Sequence, residues 1–338
     1  MNYAIIGYGG IGKKYLKILN KKLNKNRDFI FIFDYIFSKN TKKNNNFYYN
    51  ISEINKISTK FALSIISTPS DCHFYDVLKL INKSKSILIE KPFVLSLKHA
   101  KKLIMLSKVN NVKMYVCFQN RLNKSIQYFA NKKKDSNKPF YIDCSLFWHR
   151  DISYYNNNWR GNYSSDGGVL TNQAIHLLDS VIYLFGEIKN FNAIAGFNKG
   201  KLKSEDILLL NALTKNNSIF SLRATTRSNF NYDTEINLFY EKQRILISGK
   251  NFNKIYIYKN GKKKLIKKYS ENFYDQSGNG HEKLINLFIK NNKKSLEMFE
   301  ISKNLHVMNV IHSIYNHIFS FKLDKISTKG SVLGNDSK

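Results

Sequence analysis

MNYAIIGYGGIG, residues Met1 to Gly12, decides how the rest of the chain is read. Tyr3 to Ile6 is a short apolar run of strand type. Gly7, Gly9 and Gly12 then fall in G-x-G-x-x-G spacing, and Lys13 to Leu23 alternates as an amphipathic helix. Strand, tight turn and helix in that order form a dinucleotide-binding signature. Gly7 lets the chain turn, Gly9 lets a pyrophosphate approach the backbone, and Gly12 lets the helix pack close to the strand. The helix N-terminus then faces the phosphates. A second apolar run, Phe29 to Phe33, ends in Asp34, about 20 residues past the last glycine, where an acid can bond both ribose hydroxyls of an adenosine. Such an acid repels a 2′-phosphate, so the expected cofactor is NAD, with NADP less favoured; Lys39 nearby is a cation that could tolerate the phosphate.

The chain continues as strands alternating with helices. Lys60 to Ile66 reads as a strand ending in Ser67-Thr68-Pro69-Ser70, and Phe74 to Ile81 as a helix. Ser86 to Ile89 is a buried strand ending in Glu90-Lys91-Pro92, Leu97 to Ser107 a helix, and Lys113 to Phe118 a strand ending in Gln119-Asn120-Arg121. Asn40 to Asn50, polar and lysine-rich, reads as a surface loop. This alternation predicts a parallel, doubly wound sheet, whose ligands sit at the carboxyl ends of its strands. The polar motifs just named all fall at such ends.

The texture changes near residue 122. A helix (Asn123 to Lys132) and a strand (Phe140 to Trp148) precede a loop with Trp159, Arg160 and Gly161. Asp166-Gly167-Gly168 opens a helix from about Val169 to Phe185. Strand-like runs follow without helices between them: Ile188 to Phe197, Ile207 to Thr214, Ser218 to Thr225, Glu235 to Tyr240, Arg244 to Ile247 and Lys254 to Tyr258. Consecutive strands argue an antiparallel sheet. Two helices, about His281 to Ile289 and Glu297 to Ser320, close the chain. The expected division is a Rossmann domain at 1–121, an α+β domain at 122–325 that holds substrate, and a polar tail at 326–338.

With 338 residues and 43% hydrophobic content, two buried cores are feasible. No run of about 18 apolar residues suggests a membrane span, and no basic-then-apolar leader is visible, so a cytoplasmic location is expected. Cys72, Cys117 and Cys144 are widely spaced and odd in number; they read as buried free thiols. The net charge of +31 would suit a nucleic-acid binder. The lysines are dispersed along the chain, however, and short clusters (Lys132 to Lys134, Lys262 to Lys264) fall where turns are expected. No nucleic-acid motif accompanies them. A general bias toward Lys, Asn and Ile accounts for the charge, and no nucleic-acid partner is expected. The scattered histidines, His99, His149, His281, His306, His312 and His317, show no ligand spacing, so no metal is expected.

Four motifs together resemble the Gfo/Idh/MocA oxidoreductases: GYGGIG at 7–12, STPSDCH at 67–73, EKP at 90–92 and GGVLTNQAIHLLD at 167–179. The resemblance implies an NAD(P)-dependent sugar or cyclitol dehydrogenase. It also implies a Rossmann domain followed by an open-faced antiparallel sheet that often makes a homo-oligomer contact. The implied cofactor-binding set is Gly7, Gly9, Gly10, Ile11, Gly12, Asp34, Ser67, Thr68, Pro69, His73, Glu90 and Lys91. The stretch from Trp159-Arg160-Gly161 to His176 is similar to members that oxidise C3 of a UDP-linked N-acetylhexosaminuronic acid for surface polysaccharides. Asn172 departs from the aspartate of many inositol and simple-sugar members, and Asp166 replaces the first glycine of a common triple. A free sugar or inositol dehydrogenase is the alternative within enzymes; a non-catalytic, NAD-binding regulator of sugar metabolism is the alternative outside them.

The residue chemistry fits alcohol oxidation. Lys91, at a strand end and partly desolvated, would have a lowered pKa and could hold the hydroxyl proton; in a lysine-rich chain its plain alternative is a surface lysine. His176 titrates near working pH and suits a general base. Asn172, four residues earlier on the helix, could orient a hydroxyl or donate to a developing alkoxide. Asp179 could fix the His176 tautomer or pack at the domain junction. Glu90 is expected to position Lys91. Arg121 and Arg160 are candidates for substrate contact, since guanidinium binds carboxylate and phosphate alike. Trp159 is expected to pack there.

Overall fold

In a computed structural model, residues 1–131, 138–155, 159–197, 203–249, 251–269 and 279–327 are described, the side chains of residues 152 and 321–327 excepted. Strand β1 (Asn2–Ile6), helix α1 (Gly10–Lys22) and β2 (Phe29–Phe33) come first, then a hairpin of β3 (Thr41–Lys43) and β4 (Asn46–Tyr49). β5 (Leu63–Ile66), α2 (His73–Leu80), β6 (Ser86–Ile89), α3 (Leu97–Val109) and β7 (Lys113–Val116) follow. These strands form one sheet in the order β3-β4-β2-β1-β5-β6-β7, parallel except where β3 meets β4. All four residues of β5 are buried, the pattern of a strand covered on both faces. The chain runs outward in both directions from the β1–β5 pair, and a crevice opens beyond their carboxyl ends.

The loop expected over Asn40 to Asn50 is instead β3 and β4. Phe47 stacks on Phe31 with centroids 4.9 Å apart, and Tyr49 on Phe33 at 5.6 Å. This aromatic ladder extends the sheet although polar residues flank it.

The second half contains α4 (Lys124–Asn131), β8 (Tyr141–Phe147), α5 (Ile175–Phe185) and seven further strands: β9 (Ile188–Gly196), β10 (Ile207–Thr214), β11 (Ile219–Thr225), β12 (Glu235–Tyr240), β13 (Gln243–Ser248), β14 (Lys254–Lys259) and β15 (Lys262–Lys268). Helices α6 (Gly280–Ile289), α7 (Lys293–Leu296) and α8 (Leu305–Ser327) end it. The strands make a second sheet, β15-β14-β13-β12-β8-β11-β10-β9, antiparallel except for β8 with β11. Residues of β10 alternate between exposed and buried, so one sheet face is open and the other is covered. Helix α8 packs on β9 from the covered side.

Several local expectations change. The helix expected from Val169 opens with one turn of π-helix, Leu170–Ala174, before α5. Lys262 to Lys264 lie in β15, not a turn, and Lys132 to Lys134 fall outside the described residues, as does the tail beyond residue 327. The segment expected as helix from Glu297 begins as two 3₁₀ turns, Glu297–Phe299 and Ile301–Asn304. Cys117 and Cys144 are buried as expected; Cys72, at the N-cap of α2, is only half-buried. Among the described residues, no helix is long and apolar enough to cross a membrane.

Candidate active site

The glycine turn links β1 to α1 by close backbone contact. Gly7 has φ of 91°, and a Cβ there would lie 2.8 Å from the Ser67 carbonyl carbon and the Thr68 nitrogen. A Cβ on Gly12 would lie 1.9 Å from the Gly7 carbonyl oxygen. These two glycines are required by the fold itself. Gly9 and Gly10 differ: a Cβ on either would meet nothing within 4 Å. They face the crevice, as does Ile11, and the N-terminus of α1 has no side-chain cap and no acid in its first turn. That leaves N–H donors unspent where a pyrophosphate would lie.

Ser67 donates its hydroxyl to the carbonyls of Ile6 and Gly7, both at 3.0 Å, and so pins the turn from the neighbouring strand. Asp34 accepts from the backbone of Tyr8 at 2.5 Å and of Ile36 at 3.0 Å, which fixes its carboxylate at the crevice wall. Lys39 is exposed and does not line the crevice. The open glycines, the uncapped helix and the anchored acid fit a bound dinucleotide.

At the ends of β5 and β6 the next layer is built. Thr68 donates to Asp76 at 2.8 Å. His73 is buried, its two ring nitrogens 2.9 and 3.0 Å from the carbonyls of Thr68 and Pro92, so it ties the loop after β5 to the Lys91-Pro92 peptide. Burial lowers its pKa despite both carbonyls. Pro69 lines the crevice beside it. Glu90 accepts from the Tyr15 hydroxyl at 2.5 Å and lies 3.3 Å from Nε2 of His281. Its backbone neighbour, the Lys91 N–H, is 3.3 Å from its other oxygen. Burial pushes the Glu90 carboxyl up, but His281, Tyr15 and the Lys91 charge outweigh it and hold the pKa at about 2. Glu90 is therefore a fixed anion under Lys91. With Cys117 and His281 it also brings three donor atoms within 4.8 Å, an arrangement that the spacing of His281 in the sequence does not reveal.

Lys91 reaches across to the second half. Its ammonium donates to the backbone carbonyl of Asn172 at 2.6 Å. Burial lowers its pKa, with the charges of Glu90 and Asp166 opposing. Asn172 donates its amide to both carboxylate oxygens of Asp166 at 2.8 Å, and to the Tyr154 hydroxyl at 3.4 Å. Asp166, uninterpreted in the sequence, thus sets the orientation of Asn172; burial raises its pKa. With its amide N–H groups directed to Asp166 and the Tyr154 hydroxyl, the side-chain carbonyl oxygen of Asn172 is the atom left for a ligand. It can accept from a hydroxyl, and the alkoxide-donor role expected of it is not available in this orientation. His176 lines the same crevice, its Nδ1 buried without a hydrogen-bond partner. Burial, then the Lys91 charge, lower its pKa well below the ordinary histidine value, so its ring is a neutral base.

Arg121 lies elsewhere. It is buried, donates to Asp179 from Nε at 3.0 and 3.2 Å and from Nη2, and also bonds Asn304 and the Met298 carbonyl. It does not line the crevice. Asp179 is taken up by this pair, so it does not orient His176; burial raises its pKa against the guanidinium. The pair locks α5 to the segment after β7. Arg160 and Trp159 do line the crevice, with the Arg160 guanidinium carbon 4.3 Å from the Tyr154 ring centroid and 4.9 Å from that of Trp159. The whole crevice has a volume of about 1020 Å³, at the upper end of small-molecule sites. It runs from the adenosine end at Asp34 to Arg160.

Two family models match this chain: an oxidoreductase family with an NAD-binding Rossmann fold over residues 1–118, and the GFO/IDH/MocA C-terminal domain over residues 135–246. The chain belongs to the Gfo/Idh/MocA oxidoreductases. This oxidoreductase carries an NAD-binding domain, and NAD is its cofactor. No curated protein matches the sequence. Among solved structures it is similar to the WlbA dehydrogenase from Bordetella pertussis in complex with NADH and UDP-GlcNAcA, at 18% identity and TM-score 0.77, covering 94% of this chain and 96% of that one. The WlbA dehydrogenase from Chromobacterium violaceum, in complex with the same pair, has 18% identity and TM-score 0.80, covering 95% and 94%. UDP-N-acetylglucosamine 3-dehydrogenase GnnA from Acidithiobacillus ferrooxidans has 15% identity and TM-score 0.72, covering 95% and 98%. At these identities the likeness speaks for the fold, which matches the expected two-sheet architecture throughout.

Sequence reasoning missed Tyr15, His281, Arg150 and Tyr154. Each is a single residue in an otherwise ordinary element, and its role comes from contacts with distant parts of the chain. Tyr15 and His281 meet Glu90 only through folding, and no local period marks them.

Proposed function

We propose that this oxidoreductase oxidises a secondary hydroxyl of a nucleotide-linked sugar, of the UDP-hexuronic acid class, with Lys91 and His176 as the acid–base pair. One observation carries the reading. The Lys91 ammonium, from the cofactor half, bonds the carbonyl of Asn172 on the π turn of the other half, and its charge reaches His176. Two groups able to handle a proton, one after β6 and one on α5, line the same crevice as the dinucleotide turn, which supports the pairing.

Bound NAD supplies the hydride acceptor. The chain must take the hydroxyl proton and hold the oxygen. His176, neutral by burial, can accept the proton; Lys91, with a lowered pKa and an anionic Glu90 beneath it, can hold or return it. Asn172 accepts from a neighbouring hydroxyl and so turns the sugar ring. The W-R-G segment at the far wall supports an acidic ligand, as do the related folds solved with UDP-GlcNAcA. Intact Lys91 and His176 count against a non-catalytic regulator.

In this reading the enzyme serves surface-polysaccharide synthesis in the cytoplasm. It works as a homo-oligomer through the open sheet face, where Ile194, Ile207, Leu209 and Ile219 are exposed. No nucleic acid takes part. The test is the appearance of reduced nicotinamide absorbance when the purified chain is given NAD and UDP-GlcNAcA, UDP-GlcNAc, glucose or myo-inositol in turn. Turnover of UDP-GlcNAcA in preference to the others is expected. Turnover confined to a free sugar or inositol would defeat the nucleotide-sugar assignment.

A further inference from the structure

Beyond the β6–α5 junction, the crevice wall carries a feature that the proton chemistry does not use. Arg150 and Arg160 both stack against Tyr154, their guanidinium carbons 5.2 and 4.3 Å from its ring centroid. Arg150 also lies 5.0 Å from the Trp148 ring centroid. All four residues line the crevice. The two guanidinium groups are thus never further apart than the sum of their distances to one ring, and like charges held that close repel each other unless an anion joins them.

Their own partners leave them undersupplied. Arg150 donates from Nη1 to the His149 carbonyl at 2.7 Å and to Asn231 at 3.2 Å; Arg160 donates from Nη1 to the Tyr154 carbonyl at 3.4 Å. The Nε of each is buried without a partner. Neither forms an ion pair among the described residues. The carboxylate whose charge reaches Arg160 is Asp166, already bonded to Asn172. A buried, unmet donor on a planar cation is costly unless a ligand meets it, and ring stacking holds each guanidinium plane while leaving its edge free for a bidentate oxyanion.

We propose that Arg150 and Arg160, braced by Tyr154, form a split anion grip in which Arg150 takes the diphosphate of a nucleotide sugar and Arg160 takes a carboxylate on its sugar ring. The assignment follows position. Arg160 interacts with Asp166 beside Lys91 and Asn172, which is the reacting end. Arg150, bonded to Asn231 and 5.0 Å from the Trp148 ring centroid, is not among the charges that act on Asp166. The grip rests on the nucleotide-sugar reading above and adds to it: the substrate must carry an anion on the sugar as well as in the diphosphate, and Tyr154 spaces the two sites while its hydroxyl contacts Asn172.

The test is calorimetric titration of the NADH-loaded enzyme with UDP, UDP-GlcNAc and UDP-GlcNAcA, for the parent and for Arg150→Gln, Arg150→Lys and Arg160→Gln. Unchanged NADH affinity and unchanged thermal unfolding establish that each variant is folded. Arg150→Gln should weaken all three ligands about 10- to 100-fold, the size of a charge-assisted contact. Arg150→Lys should recover part of that loss. Arg160→Gln should leave UDP and UDP-GlcNAc near the parent values and abolish the preference for the acid. UDP binding unaffected by Arg150→Gln, or an acid preference that survives Arg160→Gln, would overturn the grip while the parent's turnover of UDP-GlcNAcA kept the function standing. If the NADH-loaded parent binds none of the three, the nucleotide-sugar reading falls first and the grip with it.

Discussion

The two walls of the crevice are built on opposite terms. On the cofactor side the polar side chains at the turn are met within the chain: Ser67 on two carbonyls, Asp34 on two N–H groups, and Glu90 on Tyr15 and His281. On the opposite wall, Nε of Arg150, Nε of Arg160, Oε1 of Gln173 and Nδ1 of His176 are buried without partners. Two arginines make the contrast sharp. Arg121 spends its guanidinium on Asp179, Asn304 and a carbonyl, whereas Arg160 holds one long contact and lies over two rings. The first wall is a rigid mount that offers its ligand backbone N–H groups, and the second is where a ligand must complete the bonding of side chains.

The largest break comes from the residue that joins the walls. Lys91→Ala should lower kcat/KM on the sugar nucleotide by about 10³-fold, on the order of 4 kcal/mol, while NAD still binds. His176→Ala should act similarly, and in the parent the acid limb of the kcat/KM profile should lie below the ordinary histidine range, because burial disfavours the charged ring. An acid limb that stays put in a His176→Asn variant would remove the imidazole from the assignment.

Asp179→Ala should cost about 3–5 kcal/mol of unfolding free energy, since it strands the buried Arg121 cation; chemical denaturation measures this. Arg160→Gln, by contrast, should leave the unfolding midpoint near that of the parent. Equal destabilisation by both would erase the distinction between a sated and an unsated arginine.

Glu205 tests the floor beneath the π turn. It accepts from the Leu170 N–H at 3.0 Å and the Tyr315 hydroxyl at 2.9 Å, and burial raises its pKa to about 7. Between the ordinary glutamate value and 7 the folded chain holds a proton that the unfolded chain has lost. Stability therefore falls as pH rises through that window, and the loss is complete above it. Glu205→Gln should flatten this dependence and gain on the order of 3 kcal/mol above pH 7. Denaturation curves at pH 5 and 8 would reveal the difference, and a parent that is equally stable at both would refute the burial argument.

The smallest effect separates two glycines. Gly9→Ala meets open space, so stability should hold while NAD affinity falls by about tenfold, near 1.4 kcal/mol. Gly12→Ala drives a methyl into the Gly7 carbonyl and should lose stability instead. Fluorescence titration with NADH and thermal melts distinguish the two outcomes.

The mount was legible in the sequence because its parts are local. Ser86–Ile89 reads as a strand from its apolar run, and Glu90 and Lys91 follow at its end. Glycine spacing gives the turn without knowledge of any partner. The reading failed where direction or distance mattered. Arg121 also follows a strand, but a position at a strand end does not say which way a side chain turns, and this one turns into the domain junction. Asp179, at helical spacing from His176, found a stronger partner in Arg121. The π turn is invisible because its apolar residues keep an ordinary helical rhythm. Trp148, Arg150 and Tyr154 carry no period at all, and their grouping exists only once the strand end and the following 3₁₀ turn (Ile152–Tyr155) face Arg160.

The π turn at Leu170–Ala174 makes the helix sensitive to its length. Removing a single residue would let it relax into an α-helical turn and rotate everything upstream by one step, about 100° about the axis. Asn172 would swing away from both Asp166 and the amine that meets its carbonyl, while His176 and the Arg121–Asp179 lock downstream kept their places. A chain shortened by one residue there would lose the placement of Asn172 and, with it, the grasp of the sugar.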